Sequence, residues 1–212
     1  QPLPDDFARH FPASGLVRIR RGQVSASVFG GGDWAAVRDI SSGLSTNPTF
    51  FRFRKGAAVL ESVRLAPAFF DLGYFRSDGL EVAADGREYR LAQTQRAAYY
   101  QPLPREHRRA DGDYALTNDG RFYSKMDFPH RPRDEKQLTS RVTMRERPEG
   151  KGAFELEFVI DGTTGIGVTI ELCFRAGGVL SGTAPRDTEP DTAWLKSGHG
   201  RYAVGDDTIE FG

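Results

Sequence analysis

Two loop segments hold the residue types best suited to acid–base chemistry. The segments 101–112 and 126–136 are rich in proline and charge, and each carries one histidine beside arginine, His107 and His130. Imidazole can accept or donate a proton near neutral pH, and a neighbouring guanidinium favours an anionic substrate. Together with Tyr123, which lies between the two segments, these histidines are the candidate catalytic residues. The alternative is a solvated basic loop that carries no chemistry.

Other catalytic or cofactor chemistries lack the spacing that they need. The four histidines are His10, His107, His130 and His199. No two of them are two or four residues apart, so no local metal motif is present, although a site assembled from distant segments stays open. The single Cys173 permits neither an internal disulfide nor a cysteine-based zinc site. The glycine run 30–32 is not followed by a helical pattern, so it does not indicate a dinucleotide site. We therefore expect no cofactor and no metal.

Aromatic and basic side chains alternate in the run FFRFRK, which starts at Phe50. In an extended strand, Phe51 and Phe53 share one side. The other side then carries Phe50 with Arg52 and Arg54. A row of arginines beside an aromatic ring on an exposed sheet could hold a uronic acid or a sulfated sugar. The alternative is an ordinary sheet face on which these arginines pair with glutamates of neighbouring strands.

Three further residues are candidates for contact with the same kind of ligand. Arg108 and Arg131 directly follow the two loop histidines and could bind anionic groups. Trp34 follows the glycine run and could stack on a sugar ring, although a tryptophan in such a position is also typical of a protein core.

Charge and composition exclude several classes of partner. The 212 residues carry 29 basic and 29 acidic side chains, so the formal net charge is zero. A neutral chain lacks the overall basic character of most nucleic-acid-binding proteins. No segment approaches the roughly 20 apolar residues of a membrane span. We therefore expect neither a nucleic acid nor a membrane as a partner. Arginine accounts for 24 of the cations, which reflects either genome composition or a need for bidentate carboxylate binding.

Short alternating segments separated by glycine and proline predict strands along most of the chain. A hairpin is expected at 16–29 around Arg21-Gly22, and another at 80–95 around Asp85-Gly86. Segments 49–54 and 57–65 are expected to form strands on either side of Lys55-Gly56. The segments between 138 and 174 predict a meander of three antiparallel strands. Its outward arginines and glutamates are expected to pair across the strands.

These patterns predict an all-β fold with about 12 to 15 strands and very little helix. The expected architecture is a large antiparallel β-sandwich, or supersandwich, with residues 1–212 forming a single domain. A barrel or a partial propeller is the alternative. The abrupt end after the strand at 207–211 suggests that this domain is the C-terminal fragment of a longer protein; the alternative is a natural terminal strand.

Two groups of residues resemble a known family. The first group is Phe11, Pro12, Ser14, Gly15, Arg20 and Gly22, and the second is Phe50, Phe53, Gly56, Val59 and Leu60. In this order they resemble the opening phrase and a strand pair in the C-terminal β-sandwich of heparinase II/III-like polysaccharide lyases. Segment 195–211 is similar to a late hairpin of such domains. The family's His-x-His positions hold Gly43, Ser45 and Asn47 here, and Asn47 is kept as a substrate-binding candidate.

The resemblance implies a sandwich associated with polysaccharide processing. We therefore expect an accessory domain that forms one wall of an anionic-polysaccharide cleft, beside an upstream domain of the same protein. If the domain is active it should be lyase-like, but glycine and serine cannot replace the family's histidines, so the isolated domain is not expected to be competent. One alternative is a complete carbohydrate-active enzyme with its site in the histidine and tyrosine loops. Another is a structural or interaction domain without a small ligand. A periplasmic or secreted location follows only if the saccharide interpretation holds.

Overall fold

The chain folds almost entirely into strands. The computed structural model describes residues 4–30, 48–69, 72–112, 114, 116, 125–149 and 152–212. Strands hold 53% of the described residues, and no helix among those residues reaches seven residues, which confirms the predicted all-β class. The strands are β1 (Asp6–Phe11), β2 (Leu16–Arg21), β3 (Val24–Phe29), β4 (Phe51–Lys55), β5 (Ala58–Pro67), β6 (Glu81–Val82), β7 (Glu88–Tyr100), β8 (Arg133–Glu146), β9 (Phe154–Gly162), β10 (Val168–Phe174), β11 (Val179–Ser181), β12 (Ala184–Pro185), β13 (Ala193–Trp194), β14 (Gly200–Val204) and β15 (Asp207–Phe211).

Two antiparallel sheets form the sandwich. One has six strands in the order β1-β2-β3-β4-β5-β10, and the other has four in the order β6-β7-β8-β9. Two small sheets, β11-β14-β15 and β12-β13, complete the described strands. The core lies between the two large sheets, because alternate residues of each sheet point inward. Its most deeply buried members from the two sheets are Val17, Val28, Val63, Leu65, Tyr89, Leu91, Val142 and Met144.

The predicted hairpins are present. Strands β2 and β3 pair across Gly22, and β6 and β7 pair across Gly86, both glycines having positive φ. Gly56, at the β4–β5 turn, also has a positive φ of 54°. A Cβ atom there would lie 2.1 Å from the carboxylate of Asp207. That carboxylate accepts a hydrogen bond from the backbone N–H of Ala57 (2.7 Å), so the absence of a side chain at Gly56 lets the β14–β15 hairpin dock on this turn.

The prediction of a three-stranded meander between 138 and 174 is wrong in its third strand. β8 and β9 do pair, but β10 pairs with β5, where Ile170 lies opposite Leu65. β10 therefore belongs to the six-stranded sheet. A period of two fits the edge of either sheet, so the alternation in β10 did not identify its partner.

The outward side of the four-stranded sheet carries the predicted pairs of opposite charge. The Arg145 guanidinium binds Glu88 at 2.6 Å and Glu157 at 2.8 Å, and Arg141 binds Asp161 at 3.0 Å. Hydrogen bonds from Arg145 and then from Arg90 lower the pKa of Glu88. The charge of this side is thus largely neutralised within the sheet.

One buried ion pair joins the two sheets. The guanidinium of Arg21, at the end of β2, binds both carboxylate oxygens of Glu146, at the end of β8, at 2.5 and 2.8 Å. The Glu146 side chain is only 4% exposed. This bidentate hydrogen bond raises the pKa of Arg21 above its ordinary value. Asp6 provides a second, exposed partner at 2.8 Å.

Tyr89 should make the protein less stable at alkaline pH. Burial, followed by the negative charge of Glu146, raises the pKa of Tyr89 to about 12, and its hydroxyl donates to the carbonyl of Gly86 (2.7 Å). Above about pH 10 the unfolded chain loses this proton while the folded chain keeps it, so stability falls as pH rises. Between pH 9 and about 11.5 we expect Tyr89 to account for a loss of about 2 kcal/mol.

Urea unfolding of the wild type and Tyr89→Phe at these two pH values measures this contribution. The variant should lose about 2 kcal/mol less than the wild type over the interval. An equal loss in both proteins would show that Tyr89 does not cause the alkaline dependence. Comparing the two proteins removes the contributions of lysine and of the other tyrosines.

Candidate functional site

The two charged loop segments turn out to be the two legs of one connection. β7 and β8 pair along their whole length, with Tyr100 opposite Arg133, so the segment 101–132 must leave and re-enter the sheet at one place. The backbone N–H of Gln101 donates to the carbonyl of Pro132 (2.8 Å), which extends the pairing into the legs. The long β7–β8 hairpin therefore brings the two segments together.

The two predicted catalytic histidines meet in this connection. His107 and His130 stack with their ring centroids 4.4 Å apart and an angle of 23° between the rings. Each is the last residue of a short 3₁₀ turn, Arg105–His107 in the first leg and Phe128–His130 in the second. The third candidate, Tyr123, lies outside the described residues. The structure thus brings together two of the three groups.

The two legs have nearly the same local geometry. The backbone N–H of Arg108 donates to Arg105, and that of Arg131 donates to Phe128, each at 3.1 Å. Each guanidinium then folds back on its own leg. The Nε of Arg108 donates to the carbonyl of Leu103 (2.6 Å), five residues earlier. In the second leg, the Nε of Arg131 donates to the carbonyl of Met126 (2.5 Å), also five residues earlier. The result is a His-Arg pair repeated on each side of the stacked rings.

Asp127 is a member of the cluster that the sequence analysis missed. Its backbone has a φ of 46°, a left-handed conformation that aspartate tolerates better than most residues. This conformation precedes the 3₁₀ turn, and Oδ1 of the buried carboxylate lies 2.8 Å from Nδ1 of His130. A carboxylate oxygen accepts hydrogen bonds, so Nδ1 of His130 is the donor in this contact, which orients the imidazole ring. The Asp-x-x-His spacing of Asp127 and His130 is the sequence signal that could have identified this residue.

A cavity of about 310 Å³ lies between the legs. Among the described residues, three cationic side chains line it, those of Arg108, Lys125 and Arg131, together with Tyr114 and the carboxylate of Asp127. The histidine rings stack outside this lining, and the His130 side chain is 55% exposed. Chemically, the cavity can bind an anion, whereas the histidines beside it could exchange protons with solvent or with a ligand at its edge.

Arg52 and Arg54 lie elsewhere, on the outward side of the six-stranded sheet. The sheet register places Arg9, Arg18, Ser27 and Arg52 in one row across β1, β2, β3 and β4. A second row holds Phe7, Arg20, Ser25 and Arg54. We call the five arginines of these rows the arginine face. Strands are about 4.8 Å apart, so the first row extends over about 14 Å.

Few acidic side chains oppose the arginine face. Asp5 binds Arg20 at 3.0 Å, but within the described ranges no ion pair forms at Arg9, Arg18, Arg52 or Arg54. The cross-strand neighbours of Arg52 and Arg54 on β3 are serines, not the glutamates of the alternative interpretation. All four of these arginines are exposed. The two outward sides of the sandwich thus differ, one neutralised and the other basic.

Aromatic side chains border the arginine face, but Phe50 is not among them. Phe50 precedes β4 and is buried, with its ring packed edge-on against Phe75 (5.8 Å) and Phe158 (6.2 Å). The prediction that it shares a side with the arginines is therefore wrong. Phe11 takes the aromatic place instead, because it lies two residues along β1 from Arg9, whose guanidinium covers the Phe11 ring at 5.1 Å.

Two substrate-binding candidates, Trp34 and Asn47, lie outside the described residues.

Within the described ranges no three histidine, cysteine or acidic side chains come close enough to hold a metal ion. That part of the chain also contains no helix long and apolar enough to span a bilayer.

Comparison with known proteins gives no relative. No family model, no curated protein and no solved structure matches this chain. The resemblance to the sandwich of heparinase II/III-like lyases therefore stays a prediction.

Proposed function

We propose that this β-sandwich binds an anionic polysaccharide along its arginine face, as an accessory domain in saccharide processing. The observation that carries the proposal is the row of Arg9, Arg18 and Arg52, three exposed guanidiniums in register that have no acidic partner within the described part of the chain. A row of cations that crosses four strands matches a ligand whose anionic groups also repeat, rather than a single small anion.

The chemistry of the arginine face suits sugar acids. A guanidinium presents a planar fork of donors that matches a carboxylate or a sulfate, and it is less strongly hydrated than an ammonium. Ser25 and Ser27 lie between the arginines of β2 and β4, and their short side chains leave space above the sheet. Phe11 provides an apolar ring at the edge, on which the C–H groups of a sugar can pack.

The same groups favour binding over catalysis at this face. Guanidinium, serine hydroxyl and phenyl groups position an anion, but none is a good proton acceptor near neutral pH. The Asp127–His130 pair is the observation that favours the alternative of a complete carbohydrate-active enzyme, since it places an oriented imidazole beside a cationic cavity.

Arg18→Gln and Arg52→Gln should each weaken binding to a polyuronate by about three- to tenfold, since a charged contact contributes about 0.7–1.4 kcal/mol. The matched control is Arg141→Gln, which removes the same charge from an equally exposed strand position where Asp161 neutralises it. We expect this control to bind as the wild type does. Affinity electrophoresis in gels containing the polyuronate, at two salt concentrations, measures these effects. The salt dependence should be weaker in the first two variants.

Several outcomes would contradict this proposal. Unchanged mobility of the wild type in polyuronate and sulfated-polymer gels would exclude it, as would equal weakening in all three variants. Tighter binding to single-stranded DNA than to the polysaccharides would indicate a nucleic acid as the partner. Absorbance from an unsaturated uronate product, monitored in the same mixtures, would favour the enzyme alternative.

A further inference from the structure

We propose that the cavity between the two legs of the β7–β8 connection is a second, independent site that binds one compact oxyanion, a carboxylate or a phosphate group, between Arg108 and Arg131. This site shares no residue with the arginine face. An experiment can therefore contradict one of the two proposals, polysaccharide binding or oxyanion binding, without contradicting the other.

The first argument is that both guanidiniums are held in place by the fold. Each Nε already donates to a backbone carbonyl of its own leg, that of Leu103 or that of Met126. Arg131 makes one further contact, from Nη1 to the carbonyl of Gln101 (3.3 Å). Both side chains line the cavity, and within the described residues neither guanidinium forms an ion pair with a carboxylate. An anion would thus meet two pre-positioned cations, which lowers the entropic cost of binding.

The second argument is the charge of the cavity. Lys125 adds a third cation to its wall, whereas Asp127 is the one carboxylate that the described lining contains. The Asp127 carboxylate is engaged by Nδ1 of His130 at 2.8 Å and is 8% exposed. The described part of the lining therefore has a surplus of positive charge, which favours a ligand of negative charge.

Tyr114 adds a neutral donor to the same wall. Its hydroxyl oxygen accepts a hydrogen bond from the backbone N–H of Arg109 (3.1 Å), which leaves the hydroxyl proton available for the cavity. The groups that face a ligand are thus mainly donors. Such a set binds an acceptor-only group with several oxygens, as carboxylates and phosphates have.

The size of the cavity limits the ligand. About 310 Å³ is at the small end of ligand pockets, which range from about 300 to 1,000 Å³. It can hold the anionic end of a ligand, such as one sugar acid or one phosphate monoester, but not a folded polymer segment. Sugar acids and phosphates present similar oxygens, so the experiment has to separate them.

The proposal predicts which arginines of this loop control anion binding. Arg108→Gln and Arg131→Gln should each lower affinity for the anion by about tenfold, the effect of losing one charge-assisted contact. The matched control is Arg109→Gln, because Arg109 neighbours Arg108 and is exposed, but pairs with Asp111 and does not line the cavity. This control should bind as the wild type does. The anion affinity of Arg108→Lys should lie between those of the wild type and Arg108→Gln, because lysine keeps the charge but lacks the planar fork of donors.

Isothermal titration calorimetry at constant ionic strength, with inorganic phosphate and with glucuronate as separate probes, measures these affinities. Circular dichroism tests whether each variant is folded. If a glutamine variant is unfolded, the lysine variant at the same position is used in its place. The probe that binds more tightly identifies the ligand class. No heat with either probe in the wild type would overturn the proposal. So would wild-type affinity in both cavity variants, or an equal loss in Arg109→Gln, which would indicate only general attraction by a basic loop.

Discussion

Glu146→Ala is expected to lower the free energy of unfolding by about 3–5 kcal/mol. The substitution leaves the Arg21 guanidinium between the sheets without the carboxylate that binds it at 2.5 and 2.8 Å. Asp6, which binds Arg21 directly at 2.8 Å, compensates little, because its side chain is 78% exposed and ion pairs with exposed partners contribute little. Burial of a charge without its partner is costly, and this cost dominates the effect. The midpoint of urea unfolding and its m-value measure the change.

Two control proteins separate the ion pair from a general loss of charge. Glu157→Ala removes a half-exposed partner of Arg145 and should cost no more than about 1 kcal/mol. The double variant Arg21→Met with Glu146→Leu removes both charges and keeps apolar volume, so it should lie within about 1 kcal/mol of the wild type. If the double variant is as unstable as Glu146→Ala, lost packing rather than the unpaired charge explains the effect.

Phe50→Ala is expected to destabilise the protein by about 3–5 kcal/mol. The ring is 3% exposed and packs edge-on against Phe75 and Phe158, so its removal opens a cavity between the two sheets. Surrounding residues can collapse only partly into such a space, which adds a cavity cost to the lost burial. Chemical unfolding again gives the free energy.

The matched control is Phe11→Ala, at the margin of the arginine face. Its ring is 37% exposed, so the loss of stability should stay below about 1 kcal/mol. Folded Phe50→Ala should bind the polyuronate as the wild type does, whereas Phe11→Ala should bind it more weakly. The reverse pattern would place Phe50 at the binding surface and contradict the packing described above.

The distribution of charge connects the fold to both proposed sites. Although the net charge is zero, the charges are unevenly distributed, because the outward side of the four-stranded sheet pairs its arginines with glutamates and aspartates, as at Arg145 and Arg141. The arginine face and the cavity keep cations that are not paired in this way. Net charge alone therefore argued against bulk electrostatic binding, but it did not exclude local binding of anions.

The sequence by itself determined the class of fold and most local pairings. Alternation with period two and the turn glycines predicted the hairpins at Gly22, Gly56 and Gly86, because these features depend on neighbours in the chain. The sequence also predicted that His107 and His130, each followed by an arginine, lie in two loops of the same kind, rich in proline and charged residues. These features depend on residues that are close together in the chain, and the structure confirms the hairpins that they predict.

Only the tertiary structure decided which distant segments meet. β10 pairs with β5 rather than β9, and the pairing of β7 with β8 stacks His107 on His130. The row from Arg9 to Arg52 needs the register of four strands, and each strand alone shows only alternating arginines. Alternation places a side chain on one side of its strand, but it contains no information about the partner strand. Partner and register follow from the burial of the whole core, which is a property of all the strands together.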